Sequence, residues 1–211
     1  MKYGIFGDVQ GNYNNLEKMF KTCKEFDISS FICLGDIVHK GNTFMENRCI
    51  ETIRKNNCKC VRGNHDELSE TIIDSGKIHG DNLEFLESLP ELVTLGGILF
   101  YHKPLTGSKM YTIEDAKKEF EKIESEERYR GVKFTFYGHT HDIKGFKKKE
   151  NNISEINLKE NDFMVGSDVI LEDGWVYLFN PGSIGIPNSV RPSFGVLDIG
   201  GRNKTFEIKC L

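Results

Sequence analysis

What this chain has little of narrows it first. Proline is scarce, five residues in 211, and no Pro-rich linker, low-complexity tract or internal repeat divides the sequence. One domain over residues 1–211 is therefore expected. No apolar run approaches the roughly 18 residues that span a bilayer. The amino-terminal Met1-Lys2-Tyr3-Gly4-Ile5-Phe6 lacks the apolar stretch of a secretory signal. A cytoplasmic protein with no membrane partner is expected. Basic charge is not in excess: 28 Lys and Arg face 32 Asp and Glu, for a net charge of −4. Nothing global attracts nucleic acid. A phosphate-bearing ligand would need local positive charge, such as bound metal ions. The six cysteines do not form a zinc quartet, because Cys58-Lys59-Cys60 has no second pair to complete it. Alternation puts both of its thiols on one strand face, as core filling.

What is present is enough to build a core: 38% of residues are hydrophobic, among them 15 Phe. The first half alternates strands and helices. Lys2–Phe6, Ser30–Leu34 and Cys58–Val61 read as strands. Asn14–Phe26 reads as a helix, since Leu16, Met19, Phe20 and Cys23 fall on one face. Phe44–Asn56 is a second helix, and Asn82–Ser88 a short third one closed by Pro90. Gly96-Gly97 joins Leu92–Leu95 to Ile98–Tyr101 as a hairpin. Thr112–Ile123 is a helix with a capping box from Thr112 and Asp115. Phe134–Tyr137 is the next strand.

The last third is strand-rich: Ile143–Phe146, Ile153–Asn157, Asp168–Leu171, Trp175–Phe179, Phe194–Ile199 and Thr205–Lys209. Lys147–Asn152 reads as a polar, solvated loop. Trp175 is expected to pack in the second sheet and His79 to lie at the surface. Strands with intervening helices, followed by strands without them, give an α/β fold of two packed sheets covered by helices.

Polar residues collect where these strands end. Asp8, Asp36, Asn64, His102 and His139 each fall within three residues of an expected strand terminus, and His141 follows His139. Glycines precede Asp8, Asp36, Asn64 and His139, as tight turns require. Ligands of open α/β sheets gather beyond the carboxyl ends of strands. Carboxylate, amide and imidazole groups are the donors that divalent metals take. The alternative role for each residue taken singly is turn formation or capping. Jointly they point to one metal centre assembled from distant pieces, as in a metal-dependent hydrolase.

Gly7-Asp8-Val9-Gln10-Gly11-Asn12, Gly35-Asp36-Ile37-Val38, Gly63-Asn64-His65-Asp66, His102 and Gly138-His139-Thr140-His141 resemble, in order, the five motifs of the calcineurin-like metallophosphoesterases. Asn180-Pro181-Gly182-Ser183-Ile184-Gly185 resembles the segment after the histidine pair in the compact bacterial and archaeal phosphodiesterase branch. The resemblance implies a four-layer α/β/β/α sandwich of two mixed β-sheets flanked by helices. It implies a phosphodiesterase or phosphatase in which a hydroxide between two metals attacks phosphorus in line. By position, Asp36 resembles the bridging carboxylate. Asp8 and His141 resemble ligands of the first metal, and Asn64, His102 and His139 ligands of the second. His65 resembles the residue over the phosphate that stabilises or protonates the leaving oxygen, with Asp66 orienting it.

The family's first motif is Asp-x-His, and Gln10 stands where the histidine is expected. An amide oxygen is a poorer ligand for zinc or iron than imidazole. A weaker first site follows, or one biased toward manganese or magnesium, or the full loss of that metal. Two divalent ions are implied, manganese foremost, with iron, zinc, nickel or magnesium as alternatives. Arg62 suits bidentate phosphate binding or the bracing of its loop. His39 and Lys103 are candidate substrate contacts, with a solvated surface role as the alternative for each. A small phosphate ester is the implied substrate. A protein phosphatase or dinucleoside polyphosphate hydrolase is the second possibility, although those relatives carry Asp-Arg-Gly where this chain has His39-Lys40-Gly41. A non-catalytic scaffold of the same fold is the third.

Overall fold

A computed structural model describes residues 1–39, 45–67, 77–107, 109–158, 169–189 and 191–211. Sheet 1 runs, edge to edge, through β3 (Lys59–Cys60), β2 (Ser30–Cys33), β1 (Lys2–Phe6), β11 (Ser193–Asp198), β12 (Thr205–Cys210) and β9 (Val169–Ile170). Sheet 2 runs through β4 (Leu92–Leu95), β5 (Ile98–Tyr101), β6 (Phe134–Phe136), β10 (Val176–Pro181), β7 (Ile143–Lys149) and β8 (Asn152–Glu155). Four α-helices accompany them among the described residues: α1 (Tyr13–Glu25), α2 (Met45–Lys55), α3 (Gly80–Glu87) and α4 (Ile113–Ser125). No described helix is long and apolar enough to cross a membrane.

Three apolar clusters stack these pieces into layers. Leu16, Met19, Phe20 and Cys23 of α1 and Cys49, Ile50 and Ile53 of α2 pack on Phe6, Cys33, Phe194 and Val196 of sheet 1. The opposite face of that sheet turns Ile5, Ile32, Leu197 and Phe206 toward Phe100, Phe136, Tyr177 and Phe179 of sheet 2. Outside sheet 2, Leu99, Tyr101 and Phe146 meet Ala116, Phe120 and Ile123 of α4. The strand period of two explains the division: neighbouring residues of β1, such as Ile5 and Phe6, serve opposite faces. The result is the α/β/β/α sandwich expected from the sequence. Cys60 fills the helix-side cluster with Cys58 packed against it, and the six thiols are free.

Pairing direction positions the site. β1, β2 and β3 are parallel neighbours in sheet 1. β5, β6 and β10 are parallel neighbours in sheet 2. The carboxyl ends of both sets meet at one end of the sandwich, where Gly35 O accepts from Asp8 N (2.9 Å) and His102 O from Gly138 N (3.0 Å).

One segment departs from expectation. Lys147–Asn152 is not a solvated loop: Lys147–Lys149 complete β7, Asn152 opens β8, and only Glu150 and Asn151 turn. The lysines have partners that composition cannot show. The Lys147 and Lys149 ammonium groups lie 4.4 and 6.0 Å from the Trp175 ring centre. Lys148 reaches Glu124 at the end of α4, 2.5 Å away. Elsewhere element boundaries shift by a few residues. Phe44 and Asp168, expected at element ends, lie outside the described residues. The Thr112–Asp115 capping box forms in full. His79 is exposed and starts α3, with its backbone N–H on Asn47 Oδ1 (2.9 Å).

Candidate metal centre

Strand ends from both sheets bring the polar residues together. Sheet 1 contributes Asp8 after β1, Asp36 after β2 and Asn64 after β3. Sheet 2 contributes His102 after β5, and His139 and His141 after β6. One ligand atom from each of Asp8, Asp36 and His102 lies within 4.8 Å of the other two. His102 Nε2 is 3.3 Å from Asp36 Oδ2 and 3.2 Å from Asn64 Oδ1. His141 Nε2 is 3.2 Å from Asp8 Oδ1 and 3.5 Å from Gln10 Nε2. The His139 ring stands edge-on to His102, with centroids 5.3 Å apart. His65 Nε2 lies 4.0 Å from Asp36 Oδ2. The residues expected to ligate metal are thus one contiguous group, and Gln10 belongs to it.

Tautomers can be inferred from the outer hydrogen bonds. His102 Nδ1 is 2.7 Å from the Leu34 carbonyl, and His141 Nδ1 is 2.7 Å from that of Ile186. A carbonyl only accepts, so each Nδ1 carries the proton and donates it. Each Nε2 then presents a lone pair to a carboxylate. Two acceptors facing each other need a cation between them. Without metal that cation is a proton. Burial alone would lower His102, but the Asp36 hydrogen bond and the charges of Asp8 and Asp36 outweigh it and push the imidazole up to about 9. The Asp8 hydrogen bond raises His141. Burial would raise Asp36, yet the bond and charge of His102 hold it below the ordinary range. Burial and the nearby His102 charge lower His139.

A metal ion fits the same positions. Imidazoles whose outer N–H is fixed on a carbonyl are the usual form of metal-ligating histidine. Gln10 adds a second indication: its buried Oε1 has no hydrogen-bond partner among the described residues. The residues present therefore suit one or more divalent ions bound through oxygen and nitrogen.

The backbone is strained to make this arrangement. Asp8, Gln10, Asp36, His139 and His141 all have left-handed φ angles, from 48° to 72°. Non-glycine residues take that conformation at a cost of order 1–3 kcal/mol each, and such strain clusters at functional sites. Two glycines make room. A Cβ at Gly63 would fall on the Asp36 carboxylate, and one at Gly138 would lie 2.9 Å from Asp8 Oδ2.

Several buttresses escape a reading of the sequence. Asp66 is fully buried, and its hydrogen bonds go to backbone amides rather than to the His65 ring. Oδ1 accepts from Ile37 N (2.7 Å) and Val38 N (3.1 Å), and Oδ2 from Gly63 N (2.9 Å). Direct orientation of His65 by Asp66 is therefore corrected: Asp66 clamps the loop after β2 to the loop after β3. Burial and the nearby Asp36 charge push its carboxyl up to about 7, against the amides that favour its charged form.

Asn180 Nδ2 donates to Gly138 O and Thr140 Oγ1, both 3.0 Å away, and steadies the histidine pair. Ser183 Oγ donates to Asp8 O (2.9 Å). The buried Glu119 of α4 accepts from Tyr101 Oη (2.6 Å), Leu105 N (2.7 Å) and Thr106 N (3.0 Å), fixing the chain on either side of His102. A lone acidic residue on the apolar face of a helix was the available signal for Glu119.

The three candidate substrate contacts diverge. The His39 ring stacks on His65, centroids 4.9 Å apart and planes within 17°. Lys103 is exposed immediately after His102. Arg62 meets an exposed partner, Glu91 Oε1, at 3.5 Å. The structure stacks His39 on His65 and pairs Arg62 with Glu91.

The sequence matches the family model of the calcineurin-like phosphoesterase superfamily domain over residues 1–202. An uncharacterized protein of Methanocaldococcus jannaschii is 28% identical over 205 residues, covering 87% of this chain and 76% of its own. The fold is similar to that of a metallophosphoesterase from Sphaerobacter thermophilus, with a TM-score of 0.73 at 22% identity over 100% of this chain and 90% of the other. It is also similar to a novel archaeal phosphodiesterase, with a TM-score of 0.54 at 18% identity over 100% of both chains. The structural likenesses speak for the fold, and the family match spans nearly the whole sequence, strand-end motifs included. The chain belongs to the calcineurin-like phosphoesterase superfamily and is a metal-dependent hydrolase of phosphate esters.

Proposed function

We propose that this protein hydrolyses small-molecule phosphate esters, diesters or monoesters, using two divalent ions, manganese foremost. The observation that carries this is the pair of imidazole Nε2 atoms facing the carboxylates of Asp36 and Asp8 at 3.3 and 3.2 Å. Asp8, Gln10 and His141 would hold one ion, Asn64, His102 and His139 the other, and Asp36 would serve both. Bound ions would supply Lewis acidity, offsetting phosphoryl charge and easing the deprotonation of water. The protein's own groups do the rest. His65 Nε2, at the rim of the site, is the proton donor to the leaving oxygen. Lys103 adds positive charge at the mouth. The free thiols suit a reducing compartment such as the cytoplasm. A protein phosphatase or dinucleoside polyphosphate hydrolase has less support, because the Asp-Arg-Gly of those relatives is absent.

The test is reconstitution. Chelator-stripped protein loaded with manganese should take up about two ions per chain and hydrolyse p-nitrophenyl phosphate or its bis-ester. A metal-loaded protein that cleaves no mono- or diester would be a scaffold rather than an enzyme. Gln10→His should tighten uptake of the more weakly held ion by about tenfold or more, since imidazole replaces an amide oxygen. Unchanged affinity in a metal titration would mean that Gln10 does not face the ions.

A further inference from the structure

His39 is three residues beyond Asp36, and nothing in the chemistry above gives it a task. It is nonetheless held with care. Its backbone N–H donates to Glu46 Oε1 (2.7 Å), a carboxylate fully buried at the start of α2. Val38, before it, is held by Asp66 Oδ1. That same carboxylate ties down Gly63 through its other oxygen. The two loops are thereby locked in register, with His39 on one and His65 on the other. Their rings lie nearly parallel, 17° apart in plane, at a centroid separation of 4.9 Å. Offset stacking at this distance is an attractive arrangement of flat rings.

The His39 Nδ1 is buried and has no hydrogen-bond partner among the described residues. A ring kept at this position with one nitrogen unsatisfied is contributing its flat face. That face lies on the imidazole whose direction matters most, because a proton donor works only when aimed at the leaving oxygen. A misdirection of about 1 Å can cost two orders of magnitude in rate.

Given the phosphoesterase function proposed above, on which this rests, we propose that His39 is a positioning residue for His65. It stacks on the His65 ring and limits its rotation, and it does so through its plane rather than through a nitrogen. Asp66 contributes indirectly, by fixing the register of the two loops.

A substitution series at position 39 tests this. His39→Leu keeps similar volume without a planar ring, and His39→Ala removes the ring altogether. Both should lower kcat about 3- to 10-fold, the size expected for one aromatic pair. KM and metal content should change less than about twofold in these variants, well below a tenfold step of binding. His39→Phe should restore most of the lost turnover. In a His65→Ala background the same changes should have no further effect, because the partner is gone. A readout independent of activity is the carbon-bound proton resonances of His65 in the metal-free protein. The shift that a stacked ring imposes on them should vanish in His39→Leu and persist in His39→Phe. If Phe is as damaging as Leu and KM rises, a His39 nitrogen meets the substrate and the positioning role is wrong. Unchanged kcat in His39→Leu, or unchanged His65 resonances, would equally overturn it. If the wild-type protein hydrolyses nothing, the phosphoesterase function fails, while the resonances still decide whether the two rings are paired.

Discussion

Asp36→Asn is expected to abolish metal uptake and hydrolysis together, lowering turnover by roughly 10³ or more, as loss of both electrostatic and metal assistance requires. The residue is 1% exposed and stands at the junction of the two proposed ion positions. Its Oδ2 faces His102 at 3.3 Å, and its Oδ1 accepts the His65 backbone N–H at 2.8 Å. Asparagine has the same shape and tolerates the left-handed φ of 52° better than most residues. The fold should therefore survive, so the loss can be attributed to charge. A second effect follows in the metal-free protein. Without Asp36, the buried His102 loses its hydrogen-bonded counter-charge, and its pKa should fall from about 9. Elemental analysis, together with hydrolysis of a p-nitrophenyl ester, checks the main effect. Full ion content in the variant would remove Asp36 from the ligand set.

His65→Ala is expected to do the opposite with metal: ion content stays nearly intact while turnover falls about 10²–10⁴-fold, the usual size of an acid–base contribution. The separation follows from which part of the residue does what. The His65 backbone N–H supports Asp36 Oδ1, and alanine keeps that N–H. The imidazole Nε2 lies 4.0 Å from Asp36 Oδ2, beyond hydrogen-bond range and nearer the rim. Removing the ring therefore removes the proposed proton donor and leaves the support of Asp36 in place. A loss of ions matching the loss of rate would show instead that the imidazole is a ligand. Substrates with better leaving groups should suffer less, since they need less protonation.

The residues gathered at the candidate centre were legible because they sit at strand ends, and strand ends leave marks in sequence. Apolar runs stop, glycine follows, and Asp8, Asp36, Asn64 or His139 comes next. The layers were legible for a similar reason: Leu16, Met19, Phe20 and Cys23 follow the helical period and do form the buried face of α1. The supports were not legible, because they bind backbone groups of distant segments. Asp66 looks in sequence like the partner of its neighbour His65, yet its oxygens are taken by the amides of Ile37, Val38 and Gly63. Asn180 and Glu119 likewise hold loops far from them in the chain. Lys147–Asn152 shows the reverse error: charge suggested solvent, whereas Trp175 and Glu124 give those lysines places in a strand.

The division of ligands between the two sheets has a mechanical consequence. Asp8 and Asp36 belong to one sheet and His102 to the other, so an ion held by all three would act as a hasp across the open end of the sandwich. Unfolding would have to undo that hasp first. An ion that binds only the closed form stabilises it by about 2.7 kcal/mol at a hundredfold excess over Kd. Metal supply would then govern how long the protein lasts as well as how fast it works, and a substitution that loosens the ion would weaken the whole sandwich.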